Sequence, residues 1–344
     1  MIARAARILG WGLAGLAMLG AGAWGGLALH YSDLSPAWLR DALAAAFGGL
    51  ALAALGSIGS RRRRRTLLGV LAAAYVGLLL YWGTIVPSHD RAWAPEVARL
   101  PHATMAGDLV TFHDVRNFDY RTETDFTPAY YDRTFDLRRL DALDVVTAYW
   151  MGPAIAHVFL SFGFGDDHLA VSVEARKELG EGYSSVQGFF KRYELIYVVG
   201  DERDLIRVRT NYRRDPPEDV YLYRLRGPVE NARRVFLDYV RAINALRDRP
   251  RFYDTLTTNC TTTILLHSHV NPGHLPFSWK ALLSGYAAEY AYDQGRLDTS
   301  LPFGELQSRS RINDAARWAD QAPDFSRRIR RGLPGQGRAL AAGS

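Results

Sequence analysis

Three apolar stretches crowd into the first 86 residues, and a chain that carries them has to give that part a bilayer to sit in. They run from about Ile8 to Leu29, Ala42 to Ile58 and Thr66 to Val86. Each is close to the ~20 residues that a helix needs to cross a membrane. The second is the weakest, being rich in Gly and Ala. Arg4 and Arg7 precede the first stretch, so a cleaved signal peptide is its rival reading. The length of that run and the two spans behind it favour an uncleaved anchor.

Arginines beside short membrane-flanking segments stay on the cytoplasmic side. Arg61 to Arg65 form an unbroken run at the joint between the second and third spans. A cytoplasmic joint also keeps Arg4 and Arg7 in the cytoplasm. An odd number of spans then delivers everything after Val86 to the periplasmic side of a bacterial inner membrane. A nucleic-acid patch is the other reading of the arginine block, and a short joint pinned between two membrane helices is the simpler one. Charge counted by region agrees. Residues 1–86 hold eight Arg and two Asp, and the rest of the chain holds 34 basic and 34 acidic residues. The basic character therefore belongs to the anchor, and no nucleic-acid partner is expected. The expected partners are the lipid bilayer and a lipoprotein or peptide substrate.

The remaining 258 residues suffice for a substantial hydrophobic core. The expected layout is a three-helix anchor over 1–86, a linker over 87–108, a catalytic domain over 109–300, and a C-terminal extension over 301–344 with a mobile tail from about Arg331. Short β-like runs occur at Leu109 to Phe112, Thr134 to Leu137 and Val145 to Trp150. The block Val115 to Arg121 reads as a salt-bridged turn or a substrate wall. Two β-rich runs, Ala156 to Gly163 and His168 to Arg176, flank a Gly/Asp turn and predict a hairpin. Alternation puts His157, Phe159 and Ser161 on one face of its first strand, and His168, Ala170, Ser172 and Glu174 on one face of its second. Further strands are expected at Tyr193 to Val199, Leu205 to Arg209 and Val220 to Leu225. Helices follow at Asn231 to Arg247, Thr261 to Val270 and 279–292, the first with apolar residues spaced for one buried face.

Cys260 is the single cysteine, which excludes an intrachain disulfide and a C-x-x-C site. It is either an inert core residue or a reactive thiol. It stands where a polar loop, Tyr253 to Asn259, gives way to an apolar helix-like stretch. A helix N-terminus favours a thiolate, and a nearby imidazole can take the thiol proton. His157 is the candidate base. Ser172, Glu174 and His168 are the groups available to fix its tautomer, and backbone amides near Cys260 can hold an oxyanion. His267, His269 and His274 form the only metal-like grouping. They end a helical segment without a carboxylate or second cysteine to complete a set, so no metal and no cofactor are expected.

Five blocks in order resemble the DUF4105 domain, the extracytoplasmic domain of the Lnb-type lipoprotein N-acyltransferases. They are Val115 to Arg121, His157 to Phe164, Ser172 to Arg176, Tyr193 to Asp204, and Thr258-Asn-Cys-Thr261, together spanning roughly 110–275. The family is similar to permuted papain-like NlpC/P60 folds, in which the histidine strand precedes the cysteine helix. The resemblance implies an α+β chain, with three transmembrane helices followed by a permuted papain-like domain of antiparallel sheet and helices. It also implies transfer of an acyl chain from the glyceryl group of a diacylated lipoprotein to the α-amine of its N-terminal cysteine. Cys260 would be the nucleophile and His157 its base, supported by Glu174 and Ser172, with Asn259, Thr258 and Arg176 placed around substrate or oxyanion. The three-span anchor in front departs from the best-known members, which carry membrane helices after the domain. A cysteine amidase or peptidase acting on cell-wall peptides and a catalytically idle envelope scaffold are the competing functions.

Overall fold

Three long helices, α1 (Ile2–His30), α2 (Ala37–Gly56) and α3 (Arg61–Thr84), account for the apolar stretches, and each is long and apolar enough to cross a membrane. The computed structural model describes residues 2–57, 60–336 and 340. Ile58, the expected end of the second span, lies outside them. Arg61 to Arg65 are not a joint but the opening turns of α3, where the Arg64 guanidinium lies 4.7 Å from the centre of the Trp11 ring. Helices α1 and α2 approach closely because two glycines leave room. A Cβ on Gly25 would stand 2.2 Å from the Phe47 ring, and one on Gly22 would stand 2.5 Å from the Ala51 Cβ, so close backbone approach takes the place of side-chain bulk between these helices. Residues Ser184–Arg192 belong to this unit. Phe190 joins its apolar core, the Lys191 ammonium donates to the Trp82 carbonyl at 2.8 Å, and Arg192 pairs with Asp33 at 2.5 Å.

The second unit, His89–Tyr183 with Tyr193–Ser344, is built on a sheet. Its strands are β1 (His102–Ala106), β2 (Leu109–Arg116), β5 (Tyr130–Asp136), β6 (Ala142–Tyr149), β7 (Ala156–Phe164), β8 (Asp167–Arg176), β9 (Glu194–Gly200) and β10 (Asp219–Arg224), with a small ribbon of β3 (Asp119–Tyr120) and β4 (Phe126–Thr127) beside them. The order is β1-β2-β9-β8-β7-β6-β10, with β5 also on β2. All pairs are antiparallel except β2 with β9, which meet in parallel at Arg116 and Gly200. The sheet is thus mixed rather than wholly antiparallel. The expected hairpin is β7–β8, turned at Gly165, whose φ of +71° suits glycine.

Alternation along the central strands sorts two cores. On one face Val145, Val158, Leu160, Phe162, Val171 and Val173 pack against α5 (Val229–Asp248), which offers Val235, Phe236, Tyr239, Val240 and Ile243 at helical spacing. On the other, Val146, Phe159, Ala170 and Val198 meet Leu205, Ile206, Ile312, Phe325 and Ile329. The predicted strand at Leu205 to Arg209 is instead helical. Asp201 caps α4 (Glu202–Leu205) by accepting from the Arg203 amide at 2.8 Å, and a π-helical turn follows over Val208–Tyr212. Its alternating apolar and basic residues imitate a strand because Arg207 and Arg209 are themselves buried.

Chain on either side of the expected catalytic domain contributes to the same core. Ala94 and Val97, in the expected linker, are buried in the second core, and Arg176 holds the carbonyls of Val97 and Ala98 at 2.9 and 2.7 Å. Helices α6 (Cys260–Ser268), α7 (Trp279–Leu282) and α8 (Ala287–Asp293) follow α5. The helix expected over 279–292 breaks at Gly285, where a Cβ would meet the Pro153 carbonyl oxygen at 2.1 Å. The extension from 301 forms α9 (Phe303–Arg309), α10 (Asn313–Trp318) and α11 (Phe325–Arg328). Past Arg331, Gln336 still accepts from Arg224 at 2.7 Å. Residues 337–339 and 341–344 of the expected tail lie outside the described residues.

Two buried ionic clusters fasten these layers. Asp204 accepts from Arg116 at 2.8 and 3.0 Å, from the Phe118 amide at 2.8 Å and from the Tyr120 hydroxyl at 3.0 Å, so the Val115 to Arg121 block is a packed, salt-bridged turn. Arg330 donates to Asp144 at 2.9 and 3.0 Å and to Glu202 at 2.6 and 2.7 Å. Both carboxylates are fully buried. Removing one partner of such a pair strands a buried charge. Arg330→Ala should therefore destabilise the protein by about 3–5 kcal/mol, read as a lower denaturant midpoint in tryptophan fluorescence. Arg138→Ala, which breaks an exposed pair with Asp136, should leave the midpoint unchanged. Equal midpoints for the two variants would contradict this account of the core.

Candidate active site

Cys260 is the first residue of α6, and the loop before it is built to start a helix there. The Asp254 carboxylate accepts from the amides of Leu256 and Thr257 at 3.0 and 2.7 Å. Asn259 then caps the helix, its side-chain oxygen accepting from the amides of Thr261 and Thr262 at 2.9 and 2.8 Å while the Thr262 hydroxyl receives the Asn259 amide at 3.1 Å. This reciprocal capping box overrides the weak helix propensity of three successive threonines. It leaves the Cys260 thiol at the positive end of the helix, nearly buried.

His157 comes from the start of β7, where the sheet opens. The β7–β8 ladder ends at Leu160 and Val171, although β7 stays paired with β6 as far as Ala156 and β8 with β9 as far as Arg176. Continuing the same register would set His157 opposite Glu174. In the gap the His157 Nε2 meets the Ser172 hydroxyl at 2.6 Å and a Glu174 oxygen at 3.1 Å. Ser172 donates to that same carboxylate at 2.7 Å, and Arg209 donates to it at 2.9 Å. With Nε2 so occupied, Nδ1 remains for the thiol. Cys260 interacts with the His157 ring and with the Val158 amide, a backbone donor in the part of β7 that has no ladder to β8. The Thr261 hydroxyl stands 3.7 Å from the sulfur.

The charges are mutually dependent. Burial disfavours an imidazolium and Arg209 adds to that, but the Glu174 charge and the hydrogen bonds to Cys260 and Glu174 outweigh both, and His157 is pushed up to about 9. Burial likewise raises a thiol, yet His157, by hydrogen bond and charge, with help from Val158 and Thr261, brings Cys260 below its ordinary value. Glu174, against its own burial, is held well below the usual carboxylate range by His157, Arg209 and Ser172. The shifts of the two groups run in the direction of a thiolate–imidazolium pair, the thiol lowered and the imidazole raised.

The structure brings Cys260, His157, Ser172 and Glu174 together. His168 is paired with Gly163 near the turn end of the hairpin, away from this gap. The side chains of Asn259 and Thr258 are engaged in the loop, the Asn259 amide nitrogen donating to the Thr255 carbonyl at 2.7 Å and the Thr258 hydroxyl receiving the Asp254 amide at 2.7 Å. Arg176 serves the segment around Val97 and lies over the Trp93 ring at 4.1 Å. These three side chains are thus committed to backbone and packing. Arg209 is the site residue that sequence reasoning misses, because a strand reading of 205–209 conceals the helical turn that aims it. His267, of the expected non-metal histidines, bridges Asp238 at 2.7 Å and the Tyr197 hydroxyl at 2.9 Å.

Residues 126–285 match the family model described as the Lnb N-terminal periplasmic domain. The matched segment contains His157, Ser172, Glu174, Arg209 and Cys260. No curated protein and no solved structure matches the chain. With three helices able to span a bilayer, this is a membrane protein carrying a segment similar to a periplasmic domain of that type.

Glu174→Gln removes the charge that favours the imidazolium, so the His157 pKa should fall and that of Cys260 should rise. Alkylation of the single cysteine by iodoacetamide should then slow on the order of tenfold near neutral pH, the equivalent of about one pKa unit, and its pH midpoint should move upward. Superimposable wild-type and variant profiles would remove Glu174 from this role.

Proposed function

We propose that this protein is a membrane-anchored thiol acyltransferase that acts on bacterial lipoproteins in the periplasm through an acyl-thioester on Cys260. The observation that carries this reading is the capped helix start that sets Cys260 against a histidine held by Ser172 and Glu174. The similarity of residues 126–285 to an Lnb periplasmic domain supports a lipoprotein substrate. The anchor keeps its residue-61 arginines on the cytoplasmic side of the inner membrane and the domain on the other. The histidine-before-cysteine order suits a permuted papain-like, NlpC/P60-related arrangement.

The Cys260 thiolate attacks the ester carbonyl carbon of a diacylglyceryl group, forming a C–S bond. The oxyanion can be met by the Cys260 amide, one of the donors that a helix leaves open at its first turn. Collapse breaks the ester C–O bond, and the alkoxide takes the His157 proton to leave as a lyso product. The neutral imidazole then accepts a proton from the incoming α-amine as its nitrogen attacks the thioester. A C–N bond forms, the C–S bond breaks, and the thiolate–imidazolium pair is restored. Glu174 keeps the imidazolium favourable throughout, and Ser172 fixes the ring.

A hydrolase would use the same pair with water as acceptor, and a scaffold would use neither. Incubation of the membrane-reconstituted protein with a diacylated lipopeptide separates the three. The transferase should acquire a fatty-acyl mass that neutral hydroxylamine removes and should yield an N-acylated lyso product, with Cys260→Ala losing both. Free fatty acid or cleaved peptide without N-acylation would establish hydrolysis instead. No adduct and no product would leave only the scaffold.

A further inference from the structure

A mostly apolar void of the sheet domain runs along α6, and two neighbours of Cys260 help to line it. Its volume is about 170 Å³. Val158 and Thr261, the two residues that touch the Cys260 sulfur through backbone amide and hydroxyl, both line it. From there the wall passes Ile264 on α6, Leu143 and Leu160 on the sheet, and Ala291 on α8, and it reaches Ser268 at the end of α6. Ser268 lies seven positions along the helix from Thr261, a run of about 10 Å. A cleft for peptides or sugars would need convergent polar groups along such a wall. This wall is mostly apolar, although Arg226, Asn231, Ser268, Asn271, His274 and Arg296 also belong to the lining.

We infer that this cavity receives the acyl chain while it is held as a thioester on Cys260, and that its side chains select acyl-chain length. The inference rests on the transferase reading and adds the chain-binding subsite to it. A chain attached at the sulfur has its first methylenes between Val158 and Thr261 and continues along Ile264 toward Ala291. Burying methylenes there contributes binding energy that grows with chain length until the cavity is filled. Buried Ala291 and Ala232 leave the width that the chain occupies, since a larger residue at either position would fill it.

The test uses the full chain in nanodiscs with diacylated lipopeptides that differ only in carrying octanoyl or palmitoyl esters. Hydroxylamine-labile adducts on Cys260 are quantified by intact mass. Ala291→Phe and, independently, Ala232→Leu should lower the palmitoyl-to-octanoyl loading ratio by ~10-fold, the scale on which hydrophobic pockets discriminate chain size. Ile264→Ala, which widens the cavity, should raise it. Because the readout is a ratio, a partly destabilised variant still reports, and the widening variant reports where a narrowed one fails to fold. Ratios equal to wild type in all three variants would overturn the cavity assignment while leaving the transferase intact. Absence of any adduct in the wild type would defeat the transferase reading, and this inference with it.

Discussion

The charge balance around Cys260 depends on one carboxylate. Glu174 stands where β7 and β8 part, taking hydrogen bonds from Ser172 and Arg209 and lying 3.1 Å from the His157 ring. In a buried site an imidazolium is costly unless a negative charge faces it. Glu174 supplies that charge, His157 then stabilises the Cys260 thiolate, and the helix dipole of α6 adds to it. Arg209 opposes the imidazolium while anchoring the carboxylate. The site therefore sets two cations, His157 and Arg209, against the half-buried Glu174 and the Cys260 thiolate, with Glu218 beside Arg209 at 3.6 Å as a further counter-charge.

The parting of β7 from β8 is what lets two faces of one sheet cooperate. His157, Ser172 and Glu174 alternate onto the face shared with Phe159 and Ala170, whereas α6 and α5 lie on the face of Val158 and Leu160. A continuous ladder would separate the thiol from the imidazole. The gap brings them into contact and frees a backbone donor, Val158, for the sulfur. Val158 also lines the apolar cavity, so thiol, imidazole and void border the same end of β7.

Much of this can be read from the sequence because the signals are local. The hairpin follows from Gly165-Asp166 between β-rich runs, α5 from its apolar spacing, the spans from their length, and the helix start at Cys260 from the change of a polar loop to an apolar stretch, against three threonines that weaken it. Nothing local reports that the ladder opens at Leu160, since that depends on what packs through the gap. Arg209 is hidden because buried arginines in 205–209 mimic the outward face of a strand. The segments 89–101 and 301–336 look peripheral by composition, yet Val97, Ile312 and Ile329 complete the second core and Arg330 neutralises Asp144 and Glu202. Their contribution lies in long-range charge pairing, which periodicity does not encode.

The central claim is that the charge and hydrogen bond of His157 hold the Cys260 thiol below its ordinary value. With a single cysteine in the chain, the difference in ultraviolet absorbance between wild type and Cys260→Ser reports thiolate alone. The account predicts that this signal titrates below the ~8.5 of a free thiol, and that His157→Ala moves its midpoint upward. A signal that rises only above about pH 8.5, as for an unperturbed cysteine, would contradict it.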